Sequence, residues 1–218
     1  MATVTQRERL FRGQVHSEHI VHFVDDDAAR VKMIADFLAA ALSKDASAVV
    51  IARRAYWPDV AARLVQRRIA TSLDTRLVVL DAELTLAGLM RRGRVDHEAF
   101  ESTVPPLVRS LAASSPAGLY AYGEMVDLLA AEGNFDGARE LEESWNRLAA
   151  ETPFTLLCGY SSAHFAAAST RDQLTAICGC HTKVRTDAAD TLGQWIVGRT
   201  VPLSAAARTS SSAAPAAR

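Results

Sequence analysis

The chain has 218 residues, 24 Lys and Arg against 25 Asp and Glu, and a formal net charge of -1 at pH 7. That balance argues against a protein that coats nucleic acid through a basic excess, and 49% hydrophobic residues supply one sizeable core without staples. No run approaches the roughly 18 apolar residues of a membrane span. The N-terminal MATVTQRERLFRG lacks the apolar core of a secretory signal, and three cysteines, two of them in Cys178-Gly-Cys180, fit a reducing, cytoplasmic address.

Five short apolar runs, 19–24, 48–52, 76–81, 118–122 and 154–160, read as buried parallel strands. They lack period-2 alternation and are separated by helical patterns, which predicts a parallel sheet covered on both faces. After the first run, Val31, Ile34, Leu38, Ala41 and Leu42 form one apolar helix face, with Asp25 to Asp27 as N-cap candidates. After the second, Pro58 takes a first-turn place and Val60, Leu64, Val65 and Ile69 recur at helical spacing. The third leads into a short helix, Leu84 to Met90, ended by Arg91-Arg92-Gly93. A second helical piece from Asp96 is expected to break near Pro105-Pro106. After the fourth, Met125 to Ala131 and a Gly133-Asn134 turn precede a longer helix carrying Phe135, Ala138, Leu141, Trp145 and Leu148 on one face. Thr170-x-x-Gln173 predicts a capping box opening a helix through His181. From Pro202 the chain has no apolar periodicity and reads as a disordered tail.

In an open parallel α/β sheet, ligands bind outside the carboxyl ends of the strands. Those ends read Phe23-Val24-Asp25-Asp26, Asp81-Ala82-Glu83, Tyr122-Gly123-Glu124 and Cys158-Gly159-Tyr160, a crevice of acids and aromatics. The nearest approach to a phosphate loop, Gly88 to Val95, lacks the Lys and the hydroxyl and follows a helix where a strand is needed. No GxGxxG occurs, so phosphate binding by the usual devices is disfavoured.

Two His/Cys groups could hold a metal or haem. In His16-x-x-His19-x-x-His22, strand periodicity puts His19 and His22 on opposite faces, so the simpler reading is a loop His and two partly buried strand His. In Cys178-Gly-Cys180-His181, helical spacing presents Cys178 and His181 together with Leu174 and Ile177, while Cys180 points away. Structural zinc usually takes four ligands, and Cys158 and His19 are the residues that could complete a set of His19, Cys158, Cys178 and His181. A buried thiol beside a hydrogen-bonded His is the simpler reading. Glu83 and Glu124 could form an acid/base pair, although capping of the following helices explains acids there equally, and no GxSxG elbow accompanies them. Trp145, Phe135 and Met125 read as core, the same residue types that would line a pocket for an apolar ligand.

Six segments then fall in a familiar order. They are His19-Ile-Val-His22-Phe23-Val-Asp25-Asp26, Leu77-Val-Val-Leu80-Asp81-Ala-Glu83-x-Thr85-Leu86, Ala121-Tyr122-Gly123-Glu124-Met125-Val126, Leu141-Glu142-x-x-Trp145-Asn146, Phe154-x-Leu-Leu-Cys158-x-Tyr160 and Ile177-Cys178-x-x-His181. Together they resemble the MEDS domain, the methanogen/methylotroph sensory domain that is also the input domain of a dichloromethane-responsive regulator. The resemblance covers about residues 15–185. It implies a RecA-like three-layer α/β fold with a mostly parallel central sheet, helices on both faces and no functional P-loop. It also implies a non-enzymatic role, binding a small hydrocarbon-derived ligand and passing the signal to a regulator. Relatives are often fused to a histidine-kinase-type ATPase, an anti-sigma module or a DNA-binding domain. None is recognisable after residue 185, so the expectation is that the chain signals in trans or has lost signalling. Two departures stand out: Val24 sits where relatives usually carry an aromatic, and Cys180 lies inside Cys178-x-x-His181.

The expected organisation is an N-terminal extension over 1–14, a sensory domain over 15–195 and a tail over 196–218. The ligand is expected near His19, Phe23, Asp25, Asp26, Glu83, Tyr122, Glu124, Met125, Cys158 and Tyr160, with Trp145, Cys178 and His181 in support. It would favour one arrangement of the loops after the first, third and fourth strands, read by a kinase-type or anti-sigma partner. No nucleic-acid or membrane contact is expected, and no cofactor is identified. Competing readings are a metal- or haem-linked sensor, a divalent-cation enzyme using Glu83 and Glu124, and a pure interaction module.

Overall fold

The computed structural model describes residues 17–69 and 76–186, so the extension over 1–14, His16 and the tail from 196 lie outside the described residues. Eight strands follow in chain order: β1 (Glu18–Val24), β2 (Ser47–Ala52), β3 (Leu77–Asp81), β4 (Met90–Arg91), β5 (Arg94–Val95), β6 (Leu119–Gly123), β7 (Thr155–Ser161) and β8 (Lys183–Thr186). Six of them pair in parallel in the order β3-β2-β6-β7-β1-β8, while β4 and β5 form a separate antiparallel hairpin. The four inner strands are apolar in continuous runs because helices cover both sides of the sheet.

One face is covered by α1 (Asp27–Leu42) and α2 (Trp57–Gln66). Here Ile34, Leu38 and Leu64 pack on Ile20, Val50 and Leu157, each fully buried aliphatic contributing roughly 1.5–3 kcal/mol. The other face carries α3 (Ala82–Leu89), α4 (His97–Ser114), α5 (Met125–Ala131), α6 (Phe135–Glu151) and α7 (Arg171–Gly179). The sheet is therefore the middle of three layers, a three-layer α/β fold as the sequence implied. Helix α1 leads from β1 to β2 across the intervening strands, which brings Phe37 edge-on to Tyr120 of β6.

The start of α1 lies where a phosphate loop would sit, and it is occupied by the protein itself. The Asp26 carboxylate caps it, accepting from the Ala29 N–H at 2.7 Å, with Asp27 in the first turn. An anion would meet two carboxylates there, which agrees with the missing glycine loop.

Four expectations are corrected. The sheet has a sixth strand, β8, whose Lys-Val-Arg-Thr is a short, exposed edge with no apolar run to signal it. Arg91-Arg92-Gly93 does not simply end a helix but turns the β4–β5 hairpin, with Arg92 and Gly93 both at positive φ as a two-residue turn of that hand requires. Helix α4 runs unbroken through Pro105 and Pro106. The carbonyls left without donors belong to Glu101 and Ser102, both exposed to water, while Phe100, Val104, Pro105 and Val108 anchor the opposite side. Finally, Thr170 makes no side-chain cap and instead donates to the Ala167 carbonyl, and α7 stops at Gly179, leaving His181 in the loop beyond it. Among the described residues no helix is long and apolar enough to cross a membrane.

Candidate functional site

Two polar clusters are buried in this framework. The first lies at the carboxyl ends of β2, β6 and β7. Glu124 directly follows β6, Asp127 sits in the first turn of α5, Arg53 follows β2, and Arg30 lies one turn into α1. Arg30 contacts Glu124 at 3.3 Å and Asp127 at 3.1 Å; Arg53 contacts the same carboxylates at 3.3 and 2.7 Å. The Arg53 backbone N–H also donates to Glu124 Oε1, and the Ser161 N–H donates to Asp127 Oδ1 at 2.6 Å. His164 Nε2 stands 3.1 Å from the same Asp127 oxygen. Two guanidinium and two carboxylate charges cancel, which is what makes burial of this lattice tolerable.

The two carboxylates titrate in opposite directions. Burial pushes Glu124 up despite Arg30 and Arg53. Burial also acts to raise Asp127, but His164, Arg30, the Ser161 N–H and Arg53 outweigh it and hold Asp127 well below the usual carboxylate range. Tyr122 donates to Glu124 Oε2 at 3.3 Å from within the sheet, and burial and the carboxylate beside it raise its phenol well above the ordinary value. Gly159 makes room for this contact: a Cβ there would lie 2.5 Å from the Tyr122 hydroxyl and 3.2 Å from Arg30 Nη1.

The second cluster lies under α6 and α7. His19 of β1, Glu142 of α6, Cys158 of β7 and His181 offer ligand-type atoms that all lie within 4.8 Å of one another. His19 Nε2 is 3.3 Å from Cys158 Sγ and 3.1 Å from Glu142 Oε2; Cys158 donates to Glu142 Oε2 at 3.2 Å, and Tyr160 to Oε1 at 2.9 Å. Glu142 is 0% exposed. Burial acts to raise it, but His181 and then His19 outweigh burial and hold it well below the usual range. For His181 burial works downward, and Glu142 beside it carries the imidazole upward. Burial and Glu142 push the Cys158 thiol and the Tyr160 phenol well up.

Of the residues expected near a ligand, the structure brings His19, Cys158 and Tyr160 into the second cluster and Tyr122 and Glu124 into the first. Phe23, Met125 and Trp145 are core: Phe23 packs on Tyr160 and Phe165, and Trp145 on Phe100 and Phe154. Asp25 is exposed and accepts from Ser162 Oγ at 2.7 Å, and Asp26 is the α1 cap. Glu83 is exposed on α3, beyond β3, whereas Glu124 lies wholly buried beyond β6 and is held by two arginines, so the structure does not join them as an acid/base pair. The side chains that converge here are His19, Glu142, Cys158 and His181, and Cys178 is not among them. Helix α7 ends at Gly179, so His181 lies beyond the helix that carries Cys178; both Cys178 and Cys180 are half-buried thiols raised to about 11, Cys178 by burial and then Cys180, and Cys180 by burial and then Glu142 and Glu143.

Sequence reasoning passed over Arg30, Arg53, Asp127, His164 and the cluster role of Glu142. A signal existed for two of them. Glu142 falls with Ala138, Leu141 and Trp145 on the buried stripe of α6, and Arg30 falls on the buried stripe of α1; a charge at a core position announces a partner.

Two clefts flank α1. One, about 710 Å³, lies between α1 and α2 and is lined by Asp27, Val31, Ala55, Tyr56, Asp59 and Arg63 among others. Arg53 adjoins its lining through Tyr56, the guanidinium 5.8 Å from the Tyr56 ring centroid, and Tyr56 donates to Asp27 at 2.7 Å. The other, about 570 Å³, runs along α1 over β1 and β7 and includes His22, on the opposite face from His19. None of the residues expected near a ligand lines either cleft.

No curated protein matches the chain. A family model does: the methanogen/methylotroph, DcmR sensory domain, over residues 18–182. That span takes in both clusters and every strand of the sheet but the last edge, and the chain therefore belongs to the MEDS family of sensory domains.

Proposed function

We propose that this chain senses a small ligand at the carboxyl ends of its strands and signals in trans to a histidine-kinase-type or anti-sigma regulator. The observation that carries the reading is the buried Arg30–Arg53–Glu124–Asp127 lattice, which ties α1, the segment after β2 and α5 together beside an open cleft. Arg53 is the member nearest water, 19% exposed in its side chain, while its partners are buried. A ligand in the α1–α2 cleft that engages Arg53 competes with Glu124 and Asp127 for the guanidinium, and one that engages Tyr56 competes with Asp27 for the hydroxyl. The cleft offers Ala28, Val31, Ala55 and Ala62 to hydrocarbon and Tyr56, Asp59 and Arg63 to a polar end.

Binding then shifts the population between two arrangements of residues 53–56 and the adjoining start of α1, and a partner reads that surface. The loop after β3 has no part in this lattice, so the responding loops are those after β1, β2 and β6. The test is a thermal-shift and hydrogen-exchange screen of the full chain against small alcohols, amines, carboxylates and halides. A ligand at a hundred times its Kd stabilises the fold by about 2.7 kcal/mol. Arg53→Ala is expected to abolish the response and the change in exchange at 53–56. A hit whose response survives both Arg53→Ala and Tyr56→Ala places the ligand elsewhere and overturns the reading.

A further inference from the structure

We propose that His19, Glu142, Cys158 and His181 bind one divalent borderline transition-metal ion of the zinc class, enclosed by four protein ligands. This site is distinct from the α1–α2 cleft, and its argument does not rest on that reading.

The first support is dimensional. A tetrahedral ion with ligands at roughly 2.0–2.3 Å needs ligand–ligand edges of roughly 3.3–3.8 Å. His19 Nε2 lies 3.3 Å from Cys158 Sγ and 3.1 Å from Glu142 Oε2, Cys158 Sγ lies 3.2 Å from the same oxygen, His181 Nε2 lies 3.3 Å from the other carboxylate oxygen, Oε1, and one ligand atom from each residue lies within 4.8 Å of all the others, so a slight contraction around an ion closes the set. The second is orientation. His19 Nδ1 faces the Asn146 side-chain oxygen at 2.8 Å, and the Asn146 amide is fixed that way round because its NH2 donates to the Cys180 carbonyl at 2.9 Å. His181 Nδ1 faces the Ile177 carbonyl at 2.7 Å. Both Nδ1 atoms are thus donors, and in each neutral ring the Nε2 lone pair turns inward, the outer-shell arrangement typical of metal-ligating imidazoles.

The third support is what these lone pairs meet. In the neutral rings they converge on a carboxylate and a sulfur in a buried space, where either a proton on the imidazole or a cation has to stand between the acceptors. The His181 side chain is fully buried, and its Nε2 has no hydrogen-bond partner although Glu142 Oε1 is 3.3 Å away. An orphaned buried nitrogen aimed at three other ligand-type atoms is the geometry that a cation resolves. The fourth is charge. When the metal–sulfur bond forms, the Cys158 thiol gives its proton to solvent, so thiolate, carboxylate, two neutral imidazoles and a 2+ ion sum to zero. A buried site of zero net charge avoids the desolvation penalty of an unpaired ion. Two imidazole nitrogens, one thiolate and one carboxylate select a borderline metal over Mg²⁺ or Ca²⁺. Four protein ligands leave no place for a reacting water, which makes the ion structural.

The experiment uses the full chain, stripped of metal under reducing conditions and titrated anaerobically with Co²⁺. One equivalent is expected to bind, with tetrahedral ligand-field bands in the visible, a thiolate-to-cobalt charge-transfer band in the near ultraviolet, and displacement by Zn²⁺. Cys158→Ser removes the charge-transfer band, and His181→Gln raises the dissociation constant at least roughly tenfold, whereas Cys178→Ser and Cys180→Ser leave the spectrum unchanged. The absence of saturable Co²⁺ binding overturns the proposal, as does a charge-transfer band that follows Cys178 or Cys180. If Cys158→Ser does not fold, X-ray absorption on the Zn²⁺-loaded unsubstituted chain decides. One sulfur and three nitrogen or oxygen neighbours sustain the assignment; two sulfurs or none overturn it.

Discussion

Substituting Gly159 by Ala tests whether the strand-end lattice depends on a missing side chain. The added Cβ would come 2.5 Å from the Tyr122 hydroxyl, with Arg30 Nη1 and Met33 Cε each at 3.2 Å. None of these neighbours moves freely: Tyr122 is buried in β6 and hydrogen-bonded to Glu124, and Arg30 is pinned between two carboxylates. Overpacking of this kind costs about 3 kcal/mol at the upper end of its range. Replacing glycine by alanine within a strand returns roughly 0.5–1 kcal/mol of backbone entropy. The expected net loss is therefore about 2 kcal/mol, a drop in Tm of roughly 4–8 °C for a domain of this size. In a Tyr122→Phe background the nearest obstacle is gone and the 3.2 Å neighbours need shift only slightly, so Gly159→Ala should be close to neutral. Urea denaturation of the four proteins gives the coupling energy, expected at about 2 kcal/mol, inside the range for residues in contact. Equal costs in the two backgrounds would show that Gly159 is not there to admit the hydroxyl.

Arg30→Ala leaves Glu124 and Asp127 buried with Arg53 as the remaining guanidinium, and is expected to destabilise by about 3–5 kcal/mol in denaturant titrations; a loss under 1 kcal/mol refutes the charge accounting. Asp127 has a depressed pKa when folded, so its contribution is present at neutral pH and is lost as pH falls from about 4 through the folded value. The stability gap between the unsubstituted chain and Asp127→Asn should accordingly narrow between pH 5 and pH 2, and a gap that stays constant contradicts the assignment. Pro106→Ala restores an N–H to the exposed turn of α4 and is expected to stabilise by about 1–2 kcal/mol, the helix gain being partly offset by a freer unfolded chain. Destabilisation would mean that the proline ring packs or caps in a way its exposure does not reveal.

The central strands were legible because burial on both faces forces continuous apolar runs such as Ala48 to Ala52, whose nature does not depend on which neighbour they pair with. β8 was not, since an exposed edge strand is chosen by pairing with β1 and needs no apolar residue. The unbroken α4 escaped for a related reason: proline lowers local helix propensity, but the buried stripe from Phe100 to Leu111 outweighs it. In the second cluster, His19, Cys158 and His181 could be singled out by chemical type. The fourth member could not be fixed by spacing, because whether Cys178 or Glu142 faces them depends on where α7 stops and how α6 docks. Arg53 in the loop after β2 and His164 in a single 3-10 turn after β7 have surroundings that exist only once β2, β6 and β7 are side by side.

The place of β1 in the sheet has a consequence for how the chain acquires its structure. Both neighbours of β1 come from much later in the sequence, β7 and β8, and the contact of Ser17 with Phe154 spans 137 residues. During synthesis β1 therefore leaves the ribosome as an apolar segment with neither hydrogen-bonding edge satisfied, and stays so until residues 155–161 have emerged. Closing so long a loop is entropically slow, which gives the domain a high contact order and a late, cooperative nucleation step. The nascent chain must be kept from pairing its first strand with another molecule, so its yield in the cell should depend on chaperone capacity more steeply than its final stability would indicate.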